Sequence, residues 1–272
     1  MLWQPPQVKG RGKKTRRQAM LTQARKMFYR ARGYYAGNLN GEPFRLDPYH
    51  SKFWRKATAG AWEPETFAVL DRFLSPQSDY LDIGAWIGPT VLYGARRARH
   101  VWCFEPDPTA FRHLAWNLDL NDVQNVSAFG VALSDRFGVA RMASVRGEPG
   151  DSTSSLLHDG AHGSDALTIA WDQFEKTNDL SRVSLVKMDI EGAEFIVAPT
   201  LSAWLKKRRP ALLLSLHAPL LPEDQRHERV TALMDELGYY AKLSDDKAQP
   251  VKTSDLLTED GLNRFHTVLL HG

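Results

Sequence analysis

From residue 79 to residue 217 the chain alternates two hydrophobic rhythms. Short apolar runs that lead into an acid, such as YLD, VWCFE and LVKMD, give way to stretches with apolar positions three and four apart. The first pattern predicts buried strands and the second amphipathic helices. Strands are expected at 79–83, 100–105, 126–132, 183–189, 211–217, 239–244 and 265–270. Helices are expected at about 88–98, 108–120, 192–206 and 224–237, and another at 63–74, where Pro64 falls in a first helical turn. Strand and helix taking turns at this spacing predict an α/β fold with a doubly wound, mostly parallel, seven-stranded sheet. No obvious helix separates the last two strands, which predicts an antiparallel edge. Residues 33–60 are rich in aromatic and turn residues and read as short strands or loops. The chain thus divides into a basic arm and lead-in over 1–60 and a main domain over 61–272. Residues 145–164 form one long run of turn formers, a length that accompanies function or mobility in a compact domain.

Composition narrows the class. Apolar residues make up 43% and charged residues 25%, as in a soluble globular chain, and no apolar run approaches the roughly 18 residues of a membrane span. Cys103 is the single cysteine, so an intrachain disulfide and a zinc–thiolate cluster are excluded. Its place in VWCF predicts a buried thiol, and a reducing cytoplasm is the expected location. The net charge of +3 hides an asymmetry. Residues 1–32 hold ten Lys or Arg and no acid, leaving 25 basic against 32 acidic residues elsewhere, a balance of −7. Such a basic, helix-compatible arm can bind nucleic acid or anionic lipid, or stand as a solvated tail.

In an open parallel sheet a ligand sits at the carboxyl ends of the strands, near the reversal of strand order. That rule selects Asp82, Glu105, the residues near Ala132 and Ser134, Asp189 and His217. The turn DIGAWIG carries Gly84 and Gly88, which let backbone pass beneath a ligand. Glu105 follows Asp82 by 23 residues, where a carboxylate can take two hydrogen bonds from a ribose diol. A nucleoside-containing cofactor is the expectation, either a dinucleotide or S-adenosylmethionine. A dinucleotide turn reads GxGxxG and needs no acid, whereas Asp82 suits a cofactor bearing ammonium and sulfonium charge. S-adenosylmethionine is therefore expected, with Ala85, Pro106 and Ala132 flanking these positions. Asp189 is aimed at the cleft by its strand end, and His217 ends the next strand, within reach of an acceptor proton. Either could serve the chemistry; a histidine there could equally bond a backbone group. Glu194 suits the first turn of a helix on dipole grounds alone. A divalent ion shared by Asp189, Glu194 and His217 is conceivable, but their spacing does not favour it. Ser152 to Ser155 offer hydroxyls to a ligand or simply to turns.

The order LDIGAWIGPT, FEPDPTAFRHLAWNLDLN, VALSD, STSSL, VKMDIEGAE and LLLSLHAP resembles the FkbM family of S-adenosylmethionine-dependent methyltransferases, over about residues 79–219. The resemblance implies a class I methyltransferase sheet and O-methylation of a hydroxyl on a natural product, sugar or lipid-like acceptor. It places Asp82, Gly84, Gly88 and Glu105 on cofactor positions and Asp189, Glu191 and Glu194 on the acidic turn. Trp86 stands where the family commonly has asparagine. A small-molecule or carbohydrate acceptor is thus expected, in a pocket built from the lead-in, the long loop at 145–164 and the segment after His217. An RNA methyltransferase that uses the arm, and a non-catalytic cofactor-binding module, stay open beside it.

Overall fold

The computed structural model describes residues 16–144, 154–155, 163–245 and 247–272. A basic helix, α1 (Arg16–Arg32), leads into a hairpin of β1 (Tyr35–Leu39) and β2 (Glu42–Leu46). Helices α2 (Ser51–Thr58) and α3 (Pro64–Phe73) follow. The alternation then runs β3 (Asp79–Ile83), α4 (Pro89–Ala95), β4 (His100–Phe104), α5 (Pro108–Leu120) and β5 (Val126–Phe129). Three strands come next in a second sheet with a two-residue fourth: β6 (Ala132–Ser134), β7 (Gly138–Ser144), β8 (Ser154–Ser155) and β9 (Gly163–Ala170). The chain returns through α6 (Trp171–Thr177), β10 (Val183–Met188), α7 (Glu194–Arg208), β11 (Ala211–Leu216) and α8 (Arg226–Glu236). It ends with β12 (Lys242–Asp245), two one-turn helices, α9 (Thr253–Leu256) and α10 (Glu259–Leu262), and β13 (His266–His271).

The main sheet has seven strands in the order β12-β13-β11-β10-β3-β4-β5. Strands β11, β10, β3, β4 and β5 pair in parallel, and β13 runs antiparallel to both its neighbours, one place in from the edge. Order reverses between β3 and β10, so the crevice expected of such a sheet opens there. Period-two alternation divides the strands between two cores. Leu81, Ile83, Val186, Met188, Leu212 and Leu214 face one side with α6, α7 and α8. Tyr80, Val101, Cys103, Leu185 and Leu213 face the other with α3, α4 and α5. The lead-in joins this second core: Leu39, Phe44, Leu46 and Trp54 are buried beside Val91 and Leu114. Cys103 is buried as expected, and burial pushes its thiol pKa well up.

Several boundaries differ from the sequence reading for local reasons. The strand expected at 126–132 breaks, because the chain leaves the main sheet at Gly130, which lies against the Phe111 ring at 3.3 Å from any added Cβ. Ala132 therefore belongs to β6, which pairs with β9. The strand expected from 239 begins at Lys242, since Tyr240 is tied back by its hydroxyl to Pro210 O at 2.9 Å. The helix expected from 192 begins at Glu194, because Glu191 and Gly192 take left-handed φ values of 51° and 98°. Helix α2 and strands β7 and β9 were not foreseen. In the long loop, residues 145–153 and 156–162 lie outside the described residues. In α1, Tyr29 packs edge-on against Tyr35, while Met27 and Phe28 are exposed. No helix among the described residues is long and apolar enough to cross a membrane.

Candidate functional site

Because β3, β4, β10 and β11 are parallel, their carboxyl ends share one edge of the sheet. A cavity of about 850 Å³ opens there. Gly84, Ala85, Glu105, Pro106, Ala132, Asp189 and His217 line it, as the sequence reading expected of cofactor and catalytic positions. Asp82 and Gly88 do not line it. Asp82 is fully buried under the turn, where its Oδ2 accepts from Tyr80 Oη at 2.9 Å and Thr90 Oγ1 at 2.6 Å. Gly88, at φ 89°, opens α4 against α5, with 2.5 Å between an added Cβ and Leu114 Cδ1. Their positions make these two residues supports of the turn.

The turn itself is held from both sides. Gly84 and Ala85 donate their N–H groups to Phe104 O at 3.0 Å each. Gly84 has φ 92°, and a Cβ there would stand 1.9 Å from Asp189 O, so only glycine lets β3 and β10 release their chains this close together. Sheet register sets Lys187 beside Asp82. Its Nζ lies 3.5 Å from Asp82 Oδ1 and 3.6 Å from Asp189 Oδ2, bridging the glycine turn and the acidic turn. Burial opposes its charge, but Asp82, Asp189 and Glu63 outweigh that and hold its pKa above the ordinary lysine range.

Glu105 is buried at the end of β4. Its Oε2 accepts from Trp86 N at 2.7 Å and its Oε1 from Asp107 N at 2.8 Å. Asp107 in turn caps α5, accepting from Thr109 N and Ala110 N, with Pro108 at the first helical position. This is why FEPDP positions an acid so firmly. Burial pushes Glu105 up to about 7 despite both backbone donors. Each oxygen keeps a lone pair toward the cavity.

Across the cavity the acidic turn surrounds one imidazole. Glu194 is fully buried; its Oε2 accepts from Gly192 N at 2.8 Å and its Oε1 from His217 N at 2.6 Å. His217 Nδ1 lies 3.3 Å from Glu194 Oε1, and Nε2 lies 3.6 Å from Asp189 Oδ1 and 3.5 Å from Glu191 Oε2. Burial disfavours the imidazolium, but Glu194 first, then Asp189 and Glu191, raise its pKa to about 9. His217 is therefore protonated at neutral pH.

A third wall comes partly from the lead-in, where part of the acceptor pocket was expected but no residue was singled out. Lys52, Phe53, Lys56, Trp62 and Glu63 reach the cavity from α2 and the segment after it, and Phe265, His266 and Thr267 from the start of β13. Glu63 has φ 41°, an uncommon conformation for a non-glycine residue, and caps the start of α3. Glu63 is exposed overall yet lines the cavity, where desolvation first and Asp189 next raise its pKa. The lead-in's scattered aromatics gave no period that would have marked these particular residues. Lys187 was visible in KMDIEGAE without a role.

Asp189, Glu194 and His217 do not form a compact ligand set. Among the described residues, the group whose ligand atoms lie within 4.8 Å of one another is Asp47, His50 and His113. The Asp47 carboxylate there already accepts from Tyr49 N, His50 N and Trp54 Nε1 at 2.9–3.0 Å, which explains its burial without an ion.

The methyltransferase FkbM domain pattern matches residues 82–240. The hexuronic acid methyltransferase AglP of Haloferax volcanii is 28% identical over 171 residues, which cover 61% of this chain and 63% of that protein. The crystal structure of methyltransferase FkbM from Methylobacillus flagellatus KT aligns at 16% identity and TM-score 0.46, covering 73% of this chain and 44% of the other. TYW2 of M. jannaschii in complex with AdoMet aligns at 15% identity and TM-score 0.43, covering 88% and 85%. The chain thus spans less than two thirds of the first two relatives. With the domain pattern over more than half of its length, and with the sheet of a class I methyltransferase, the chain belongs to the FkbM methyltransferase family.

Proposed function

We propose that this chain transfers a methyl group from S-adenosylmethionine to an acceptor oxygen, on a sugar or other small hydroxylated molecule. The observation that carries the reading is Glu105, whose two oxygens are fixed by backbone N–H groups yet face a cavity large enough for a nucleoside, an amino-acid arm and an acceptor. The relative's action on a hexuronic acid supports a sugar acceptor. Gly84 and Ala85 line the cavity, which lets a ligand lie against the backbone of this turn. In this reading Glu105 holds the ribose diol, and the turn from Gly84 to Trp86 supports the nucleoside. Glu63 and Asp189 face the ammonium and sulfonium charges.

The cofactor supplies an activated methyl carbon, so this chain contributes chiefly by positioning. With the methyl donor bound, Nε2 of neutral His217, which Glu194 orients through Nδ1, would take the proton that the acceptor hydroxyl gives up on methylation. Asp189 and Glu191 then face the imidazolium so formed. The neutral fraction of His217 grows up to tenfold per pH unit below about 9, so turnover should rise with pH and level near that value. His217→Ala should lower turnover strongly while leaving cofactor affinity unchanged. A flat profile from about pH 7 to about pH 9 in a pre-steady-state assay would transfer the base role to Asp189.

Calorimetric titration with S-adenosylmethionine tests the cofactor assignment. Donors from a ribose favour ionised Glu105, so binding lowers its pKa from about 7. Affinity should therefore fall as pH drops below that value, by up to about tenfold per unit, and Glu105→Gln should remove the dependence. No binding, or binding of NAD alone, would overturn the reading.

A further inference from the structure

We propose that Lys52 and Lys56, backed by Phe53 and Trp62, form an acceptor subsite that reads an anionic group on a sugar; this rests on the methyl-transfer reading above. Glu63, Glu105, Asp189 and Glu191 give the cavity an acidic lining. Of its cations, Lys187 bridges Asp82 and Asp189, and His217 is surrounded by three carboxylates. Lys52 and Lys56 form no ion pair among the described residues, and Lys56 acts on Glu63 only at longer range. An acidic lining suits a cationic cofactor and repels an anionic acceptor, unless the acceptor's charge is met at the rim. Among the described residues lining the cavity, these two lysines carry charge without an ion pair and can meet it.

Their geometry supports the assignment. Four residues apart on α2, they lie on one helix face about 6 Å from each other, a spacing that lets both ammonium groups approach one carboxylate or phosphate. The helix beneath them is fixed: Trp54 and Ala57 are buried, and Trp54 Nε1 donates to Asp47 Oδ2 at 2.9 Å. Between them Phe53 meets Trp62 at 5.0 Å and Trp86 at 4.6 Å between ring centroids. This aromatic wall offers flat surface to the C–H face of a sugar ring, beside cations placed for its charged substituent. The ligand class is an anionic sugar, bearing a carboxylate or a phosphate.

The test uses the full chain saturated with S-adenosylhomocysteine, with p-nitrophenyl β-D-glucuronide and p-nitrophenyl β-D-glucoside as probes in calorimetry and saturation-transfer NMR. The glucuronide should bind about tenfold or more tighter, with the difference shrinking as salt rises. Lys52→Ala/Lys56→Ala should erase that preference while S-adenosylhomocysteine affinity holds. Both lysines are exposed, so the double variant should melt as the parent does. Equal binding of the two glycosides by the parent overturns the inference. So does loss of S-adenosylhomocysteine affinity in the double variant, which would assign the lysines to the methionine carboxylate. If the parent fails to bind S-adenosylhomocysteine at all, the methyl-transfer reading fails and this subsite falls with it.

Discussion

Gly84→Ala should abolish measurable cofactor binding and lower the unfolding free energy by about 3–5 kcal/mol. Two costs combine. A residue with a side chain at φ 92° pays conformational strain of roughly 1–2 kcal/mol. The larger cost is steric, because the new Cβ would stand 1.9 Å from the backbone oxygen of Asp189, and no rotamer change relieves a clash between main chains. Either β3 and β10 separate at their ends or the turn shifts, and both disturb Trp86 N, which holds Glu105. Gly41→Ala is the control. Gly41 has φ 93° but nothing within 4 Å of an added Cβ, so it should lose only the strain term. Urea denaturation and calorimetry of the two variants separate the effects. Equal losses would mean that the approach of the two chains at Gly84 is not what glycine serves.

Glu194→Ala should be the most destabilising of the acidic-turn substitutions, by about 3–5 kcal/mol, because it strips a buried imidazolium of its closest carboxylate. It also leaves the N–H groups of Gly192 and His217 without their acceptor. The variant carries a signature in pH. With its pKa raised from 6.5 to about 9, His217 stabilises the folded chain fully below the unfolded value. That stability is lost as pH rises through about 9. In the variant the His217 pKa should fall and stability should flatten between those limits. Denaturation at a series of pH values, with an NMR titration of the imidazole, reads both. An unchanged slope would show that Asp189 and Glu191 alone hold the proton.

The strand-end residues were legible because their physics is local. An apolar run that stops at an acid marks both a buried strand and the edge of the sheet, so Glu105, Asp189 and His217 could be placed without tertiary knowledge. The asymmetry of FEPDP, an acid followed by an N-cap and a proline, encodes its own geometry. Asp82 shows the limit of such reasoning. Its position at a strand end was right, yet Tyr80 on its own strand and Thr90 eight residues on turn it beneath the turn, and those bonds leave no periodic trace. The second sheet was hidden for a different reason. Val139 and Leu167 are apolar yet exposed, which blurs the alternation that reveals a half-buried strand. Lys52, Trp62 and Glu63 were illegible because they reach the cavity only through the docking of the lead-in onto the second core.

That docking has a consequence for heredity. Most residues proposed to grip the methyl donor, Gly84 to Trp86, Glu105 and Asp189, lie within the family's pattern from 82 to 240, whereas Lys52 and Lys56, proposed for the acceptor, lie before it. In the proposed reading the acceptor's charge is met by a tract of the gene outside the shared pattern. A chimera that exchanges only the first sixty-odd residues should then carry one relative's charge preference into another while leaving the turn at Gly84 and the acid at Glu105 in place.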